Sequence, residues 1–124
     1  MAPIGFLLSD DMMFTSRITG TARDLGFEIR VARSQVALDA MIRSQPPAAV
    51  IIDLANPGLN LSTLLTAAKA ANQATTIVAY GSHVDTETLK QARQAGCDVV
   101  LPRSQLAERL PDLLPEWLSS TESR

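Results

Sequence analysis

The chain has 124 residues, of which 46% are hydrophobic and 19% charged, and its formal net charge is −2. This length suffices for one hydrophobic core, and the near balance of 11 basic and 13 acidic residues argues against a nucleic-acid-binding surface. No apolar stretch approaches the roughly 18 residues that cross a bilayer, and the N-terminus lacks the pattern of a signal peptide. The single cysteine, Cys97, excludes an intramolecular disulfide and suits a reducing compartment. We therefore expect a cytoplasmic protein without nucleic-acid or membrane partners.

Short apolar segments alternate with stretches of helical periodicity along the chain. Five segments predict strands: Ile4–Leu8, Phe27–Ala32, Ala48–Ile52, Thr76–Tyr80 and Val99–Leu101. The intervening helices are expected to bury Phe14, Ile18, Ala22 and Leu25; Ala37, Leu38 and Met41; Leu61, Leu64, Leu65 and Ala68; Leu89 and Ala92; and, from about Ser104 onward, Leu106 and Leu110.

The third predicted strand is apolar throughout instead of alternating. Such a strand is covered on both faces, as in a parallel sheet between two layers of helices. Together with the βα alternation, this predicts an α/β, doubly wound (βα)₅ domain. Ligands bind such sheets at the carboxyl ends of the strands, so those ends are where functional side chains are expected.

The segment from Pro111 onward differs from the rest of the chain. Pro111 and Pro115 can each begin a helical turn but cannot continue one, so a kinked or broken last helix is predicted through Leu118. The apolar group Leu113, Leu114, Trp117 and Leu118 either folds back on the domain or offers a patch to a partner. We expect one domain over residues 1–118 and a disordered tail over residues 119–124.

Three carboxylates follow two of the predicted strands. Asp10 and Asp11 come after the first strand and Asp53 after the third, so they are expected at one edge of the sheet. Carboxylates that close together repel each other unless a cation lies between them, and Mg²⁺ is a hard cation that carboxylates bind well. The alternative is that they only cap helices, as Asp11 could do for a helix beginning near Met12.

At these positions the sequence resembles the receiver domains of response regulators in two-component signalling. An acidic pair after the first strand, an Asp ending the third strand and a Pro four residues later are typical of that family. The resemblance spans residues 4–110 and rests on Phe6–Asp11, Ile51–Asp53, Leu54–Gly58 and Ala95–Asp98.

The resemblance implies a flavodoxin-like fold with strand order 2-1-3-4-5. It implies that Asp53 accepts a phosphoryl group from a sensor histidine kinase. It further implies a Mg²⁺ site formed by Asp10, Asp11 and Asp53 with the backbone carbonyl of Ala55. Such a domain is not an enzyme beyond its self-catalysed phosphoryl transfer.

The chain departs from the family pattern at several positions. Gly81 stands where a Thr or Ser hydroxyl is usual, so that donor is missing unless Ser82 replaces it. Arg103 stands in place of a Lys, and a planar guanidinium is not equivalent to a compact ammonium. Val100 stands in place of the aromatic residue that completes the usual switch. Asn60 and Leu61 replace an Asp-Gly pair.

Other side chains near the expected site have ordinary structural explanations. His83 is expected to be solvated, Cys97 partly buried, and Met12 and Met13 to fill the core where the first helix begins. Tyr80 is expected to pack, with partner contact as its alternative.

Two functions remain open from the sequence. One is a phosphoacceptor receiver with an atypical switch, and the other is a pseudo-receiver that acts through protein–protein contact without phosphorylation. In either case the expected partners are a histidine kinase or another signalling protein. A homodimer through the fourth helix, fifth strand and fifth helix is also expected.

Overall fold

The computed structural model describes residues 3–119, in which strands and helices alternate from end to end. The elements are β1 Ile4–Leu8, α1 Met12–Asp24, β2 Glu28–Ala32, α2 Gln35–Ser44, β3 Ala49–Asp53, α3 Leu61–Ala71, β4 Thr76–Gly81, α4 Thr86–Ala95, β5 Val99–Pro102 and α5 Arg103–Leu118. Every predicted strand is present, with each end within one residue of its predicted position. None of the helices in this range combines the length and the apolar character that crossing a membrane requires.

The five strands form one parallel sheet in the order β2-β1-β3-β4-β5, which confirms the predicted doubly wound fold. All five residues of β3 are buried, as its continuous apolar run predicts. The register pairs Leu8 with Ile52 and Asp53 with Tyr80. The ends of β1, β3 and β4 therefore lie side by side at the carboxyl edge of the sheet.

Two cores lie on opposite faces of the sheet. Leu8 and Ile52 belong to the core under α2, α3 and α4, whereas Leu7 and Ile51 belong to the core under α1 and α5. Side chains two residues apart in a strand point to the same face. Asp53 therefore lies on the face of the sheet that α1 and α5 cover.

The last helix is continuous, so the prediction of a broken helix is wrong. α5 runs without interruption from Arg103 to Leu118 although Pro111 and Pro115 lie inside it. The φ angle of proline suits a helix, and each proline costs one backbone hydrogen bond. Burial of the apolar face offsets those losses, because four side chains beyond the first proline are buried against α1 and the sheet: Leu113, Leu114, Trp117 and Leu118. This apolar group therefore folds back on the domain and forms no exposed patch. Of the predicted disordered tail, residues 120–124 lie outside the described residues.

Four residues expected in the core are exposed. Leu25 is 40% exposed because α1 ends before it, and the chain then turns through Gly26 at φ +86. Ala37 is exposed in the first turn of α2, where Leu38 takes the buried position. Met12 and Met13 are 58% and 86% exposed because the first turn of α1 rises above the edge of the sheet. The prediction that these methionines fill the core is wrong.

Candidate functional site

Asp53 ends β3 at the centre of the carboxyl edge, and only 9% of its surface is exposed. Its Oδ1 accepts a hydrogen bond from the backbone N–H of Ala55 at 2.9 Å. Its Oδ2 accepts one from the hydroxyl of Ser9 at 2.7 Å. Both carboxylate oxygens therefore have donors within the protein.

Ser9 is the site residue that sequence reasoning missed. It follows β1 directly, is 1% exposed, and its oxygen also accepts a hydrogen bond from the N–H of Asp11 at 3.1 Å. The expected neighbours of Asp53 were Asp10 and Asp11, which follow Ser9 by one and two residues. The signal was available, since the first residue after β1 is the neighbour of the last residue of β3 when the two strands pair in register.

Asp11 forms the N-terminal cap of α1, as predicted for that residue. Its Oδ1 accepts from the N–H of Phe14 at 3.1 Å, and its Oδ2 pairs with the guanidinium of Arg103. The hydrogen bond from Phe14 is the main reason that the pKa of Asp11 lies below its usual value; partial desolvation opposes this, and Arg103 adds to it. Asp11 is therefore already engaged by a helix end and a cation.

The three predicted carboxylates are not gathered into one cluster. Asp10 is exposed, Asp11 is held by α1 and Arg103, and Asp53 is bonded to Ser9. Within residues 3–119, no group of three or more His, Cys, Asp or Glu side chains is close enough to share a metal ion. A cation at this edge would rely on fewer carboxylates than the sequence predicts.

The cap gives a first testable prediction. We expect Asp11→Ala to lower the free energy of unfolding measurably, because the N–H of Phe14 loses its acceptor. Since the folded pKa of Asp11 is lowered, this contribution is present above the unfolded pKa, and it disappears as the pH falls through the folded value. Urea denaturation at neutral and acid pH checks both statements. Asp11→Asn, which keeps an accepting oxygen, is the control, and a loss equal to that of Asp11→Ala would contradict the capping role.

Three side chains stack between the sheet, α1 and α5. The guanidinium of Arg103 lies 4.7 Å from the ring centroid of Phe14, and the Phe14 and Tyr80 rings are 5.1 Å apart at an angle of 59°. Tyr80 is 1% exposed, so the packing expectation is correct. Burial, and secondarily the nearby charge of Asp53, raises the pKa of Tyr80 far above its usual value, although Ser9 opposes the shift.

A pocket of about 270 Å³ opens beside Asp53. Gly81 lines this pocket without offering a side-chain hydroxyl. A Cβ at Gly81 would make only ordinary contacts with Leu54 and Leu89, at 3.5 to 3.7 Å. Ser82 is exposed, and its oxygen accepts from the N–H of Val84 at 3.3 Å. The lining comprises Asp53, Ala55, Tyr80, Gly81, Ser82, His83, Arg103 and Ser104.

The other departures from the family pattern have local structural roles. Val100 is half-buried and packs on the core under α2, α3 and α4. Asn60 caps α3 by accepting from the N–H of Thr63 at 3.1 Å, which accounts for the altered loop. Burial raises the pKa of Cys97 to about 11, so the thiol is not activated at neutral pH.

Several solved structures have a similar fold. The receiver domain of NtrX from Brucella abortus is 23% identical, with a TM-score of 0.79 over 94% of this chain and 99% of that one. CheY4 of Vibrio cholerae is 17% identical, with a TM-score of 0.80 over 95% and 100% of the two chains. The Mn²⁺-bound form of the response regulator Rcp1 is 13% identical, with a TM-score of 0.76 over 96% of each chain. No family model matches the sequence, and no curated protein matches it.

Proposed function

We propose, from the receiver-domain fold of this chain, that it is a signalling receiver in which Asp53 accepts a phosphoryl group from the phosphohistidine of a sensor kinase. One observation carries the proposal. Asp53 ends a central strand at the carboxyl edge, beside a 270 Å³ pocket that Arg103 also lines. The carboxylate of Asp53, the guanidinium of Arg103 and space for an incoming group are thus adjacent.

The chemistry requires little of the protein beyond position and charge. A carboxylate oxygen of Asp53 forms a bond to phosphorus while the bond from phosphorus to the imidazole nitrogen of the kinase breaks. The imidazole leaves with the bonding electron pair. The guanidinium of Arg103 stabilises negative charge on the phosphoryl oxygens, and it would have to leave Asp11 in part to do so.

A divalent cation suits part of the donor set that was expected. Mg²⁺ is commonly held by one or two carboxylates with several waters, and we propose Asp10, Asp53 and the Ala55 carbonyl as its protein ligands. Asp11 is left out of the proposed set because α1 and Arg103 engage it. When bound, the cation would neutralise charge on the phosphoryl group.

A second candidate function is a pseudo-receiver that acts by protein–protein contact alone. It is favoured by the hydrogen bonds from Ser9 and Ala55, which already satisfy Asp53, and by the missing hydroxyl at Gly81. A carboxylate that its own protein satisfies is less available as a nucleophile. On this alternative, the unmodified surface is the active one.

Incubation with acetyl phosphate and Mg²⁺, followed by intact mass spectrometry, separates the two functions. We expect one phosphoryl group per chain, dependence on Mg²⁺, and complete loss in Asp53→Asn. Asp112→Asn, which changes an exposed carboxylate on α5, is the matched control and should be labelled like the parent. Absence of any adduct, with partner binding unchanged in Asp53→Asn, would support the pseudo-receiver instead.

The output of either function would pass through a contact surface. We propose the face formed by α4, β5 and α5 for a partner or a homodimer, with Gln91 and Arg103 exposed on it and Thr88 and Val100 half-buried. Leu113, Leu114 and Trp117 are buried in the core and take no part. Sedimentation velocity with and without acetyl phosphate tests the homodimer, and a Gln91→Arg variant that dimerises unchanged would exclude this face.

A further inference from the structure

The hydroxyl of Tyr80 is buried and has no hydrogen-bond partner among the residues that the structure describes. An unpaired buried hydroxyl destabilises the fold, whereas phenylalanine would fill the same space without that penalty. Most buried polar atoms in folded proteins are paired, so this exception calls for an explanation. Its surroundings supply one.

Tyr80 is the direct neighbour of Asp53 across β3 and β4. Both side chains lie on the sheet face that α1 and α5 cover, and both line the pocket beside Asp53. The charge of Asp53 and the hydroxyl of Ser9 are close enough to change the pKa of the phenol, although burial raises it most. The phenol is therefore protonated at any physiological pH and can serve only as a neutral donor or acceptor near Asp53.

In the unmodified protein the hydroxyl of Tyr80 donates to neither oxygen of the Asp53 carboxylate. Ser9 already donates to one oxygen of Asp53, and the N–H of Ala55 donates to the other. A phosphoryl group on Asp53 would add three strong acceptor oxygens next to the phenol. Gly81 has no side chain that could donate to them.

We propose that the phenolic O–H of Tyr80 donates a hydrogen bond to the phosphoryl group carried by Asp53, in place of the hydroxyl that Gly81 lacks. This inference rests on the proposed phosphoacceptor function. It also gives the modified site a route to the helices. The Tyr80 ring contacts the Phe14 ring of α1, and the guanidinium of Arg103, at the start of α5, lies over the Phe14 ring.

Beryllofluoride, which forms a phosphoryl-like adduct on carboxylates, provides the test. Tyr80 is the only tyrosine of the chain, so a ¹³Cζ-tyrosine label gives a single signal that reports on its hydroxyl. With Mg²⁺ and beryllofluoride, we expect this signal to shift as the adduct forms. Tyr80→Phe, which keeps the ring and its contact with Phe14, should bind beryllofluoride about tenfold more weakly.

Rescue distinguishes donation from packing. A Cβ at Gly81 has room, so Gly81→Ser in the Tyr80→Phe background should recover most of the lost affinity, whereas Gly81→Ala should not. An adduct that forms with equal affinity in Tyr80→Phe, without a shift of the ¹³Cζ signal in the parent, overturns the role of Tyr80 and leaves the phosphoacceptor function intact. No adduct in the parent protein overturns both.

Discussion

Replacing Ser9 by Asp should lower the free energy of unfolding by about 3 kcal/mol at pH 7 in the absence of divalent cations. The Ser9 oxygen lies 2.7 Å from an oxygen of Asp53, and both residues are buried. Two carboxylates at such a distance cannot both ionise freely, and a shift of about two pKa units corresponds to about 3 kcal/mol. Chemical denaturation with circular dichroism measures the loss.

The pH dependence of that loss has a definite sign. The folded pKa of the introduced carboxylate pair is raised above the unfolded value of about 4. The penalty is therefore absent below the unfolded pKa and grows as the pH rises through the raised folded pKa. The stability difference between Ser9→Asp and the parent should be small near pH 4 and full at pH 7.

Ser9→Asn is the matched control because it has the same size and no charge. Both variants carry the strain of a larger side chain, so the difference between them isolates the repulsion. Mg²⁺ should raise the melting temperature of Ser9→Asp well above any effect on Ser9→Asn, because a cation between two carboxylates stabilises only the folded state. Equal stability of the two variants at pH 7 would contradict the close approach of Ser9 and Asp53.

The sequence was sufficient for the fold because burial has a local signature. The apolar run of β3 and the periodic apolar face of α1 each determine one element, and βα alternation leaves few arrangements for those elements. Where the prediction of burial was wrong, as at Leu25 and Met13, the residue lies at a helix end above or beyond the sheet. Periodicity carries no information about where the covered surface stops.

Only part of the site could be predicted from the sequence, for a different reason. Asp53 was predicted from its place at the end of a strand, and Gly81 and Arg103 from the resemblance to receiver domains; all three line one pocket. The hydrogen bond from Ser9 and the pairing of Asp11 with Arg103 join residues 44 and 92 positions apart, and they depend on side-chain direction at the sheet edge. The sequence likewise could not show that the Tyr80 hydroxyl has no partner within residues 3–119, since a tyrosine near a strand end is usually explained by packing.

The final turn of α5 should prove essential to stability. We expect Trp117→Ala to lower the free energy of unfolding by about 3–5 kcal/mol, a large share of the roughly 5–15 kcal/mol of a typical domain. Trp117 is 7% exposed, and the adjacent Leu118 is fully buried against β1, where a Cβ on Gly5 would approach its Cδ2 to 3.0 Å.

The reason lies in what α5 covers beyond its two prolines. A cavity the size of an indole would open over the sheet between α1 and α5, and the helix has already lost backbone hydrogen bonds at Pro111 and Pro115.

Because Trp117 is the only tryptophan, unfolding must be followed by circular dichroism instead of fluorescence. Glu116→Ala, at the exposed neighbouring position, should change stability by no more than about 0.5 kcal/mol. A loss below about 1 kcal/mol in Trp117→Ala would mean that the end of α5 does not pack on the domain, and the segment from Pro111 to Leu118 would again be a candidate partner surface.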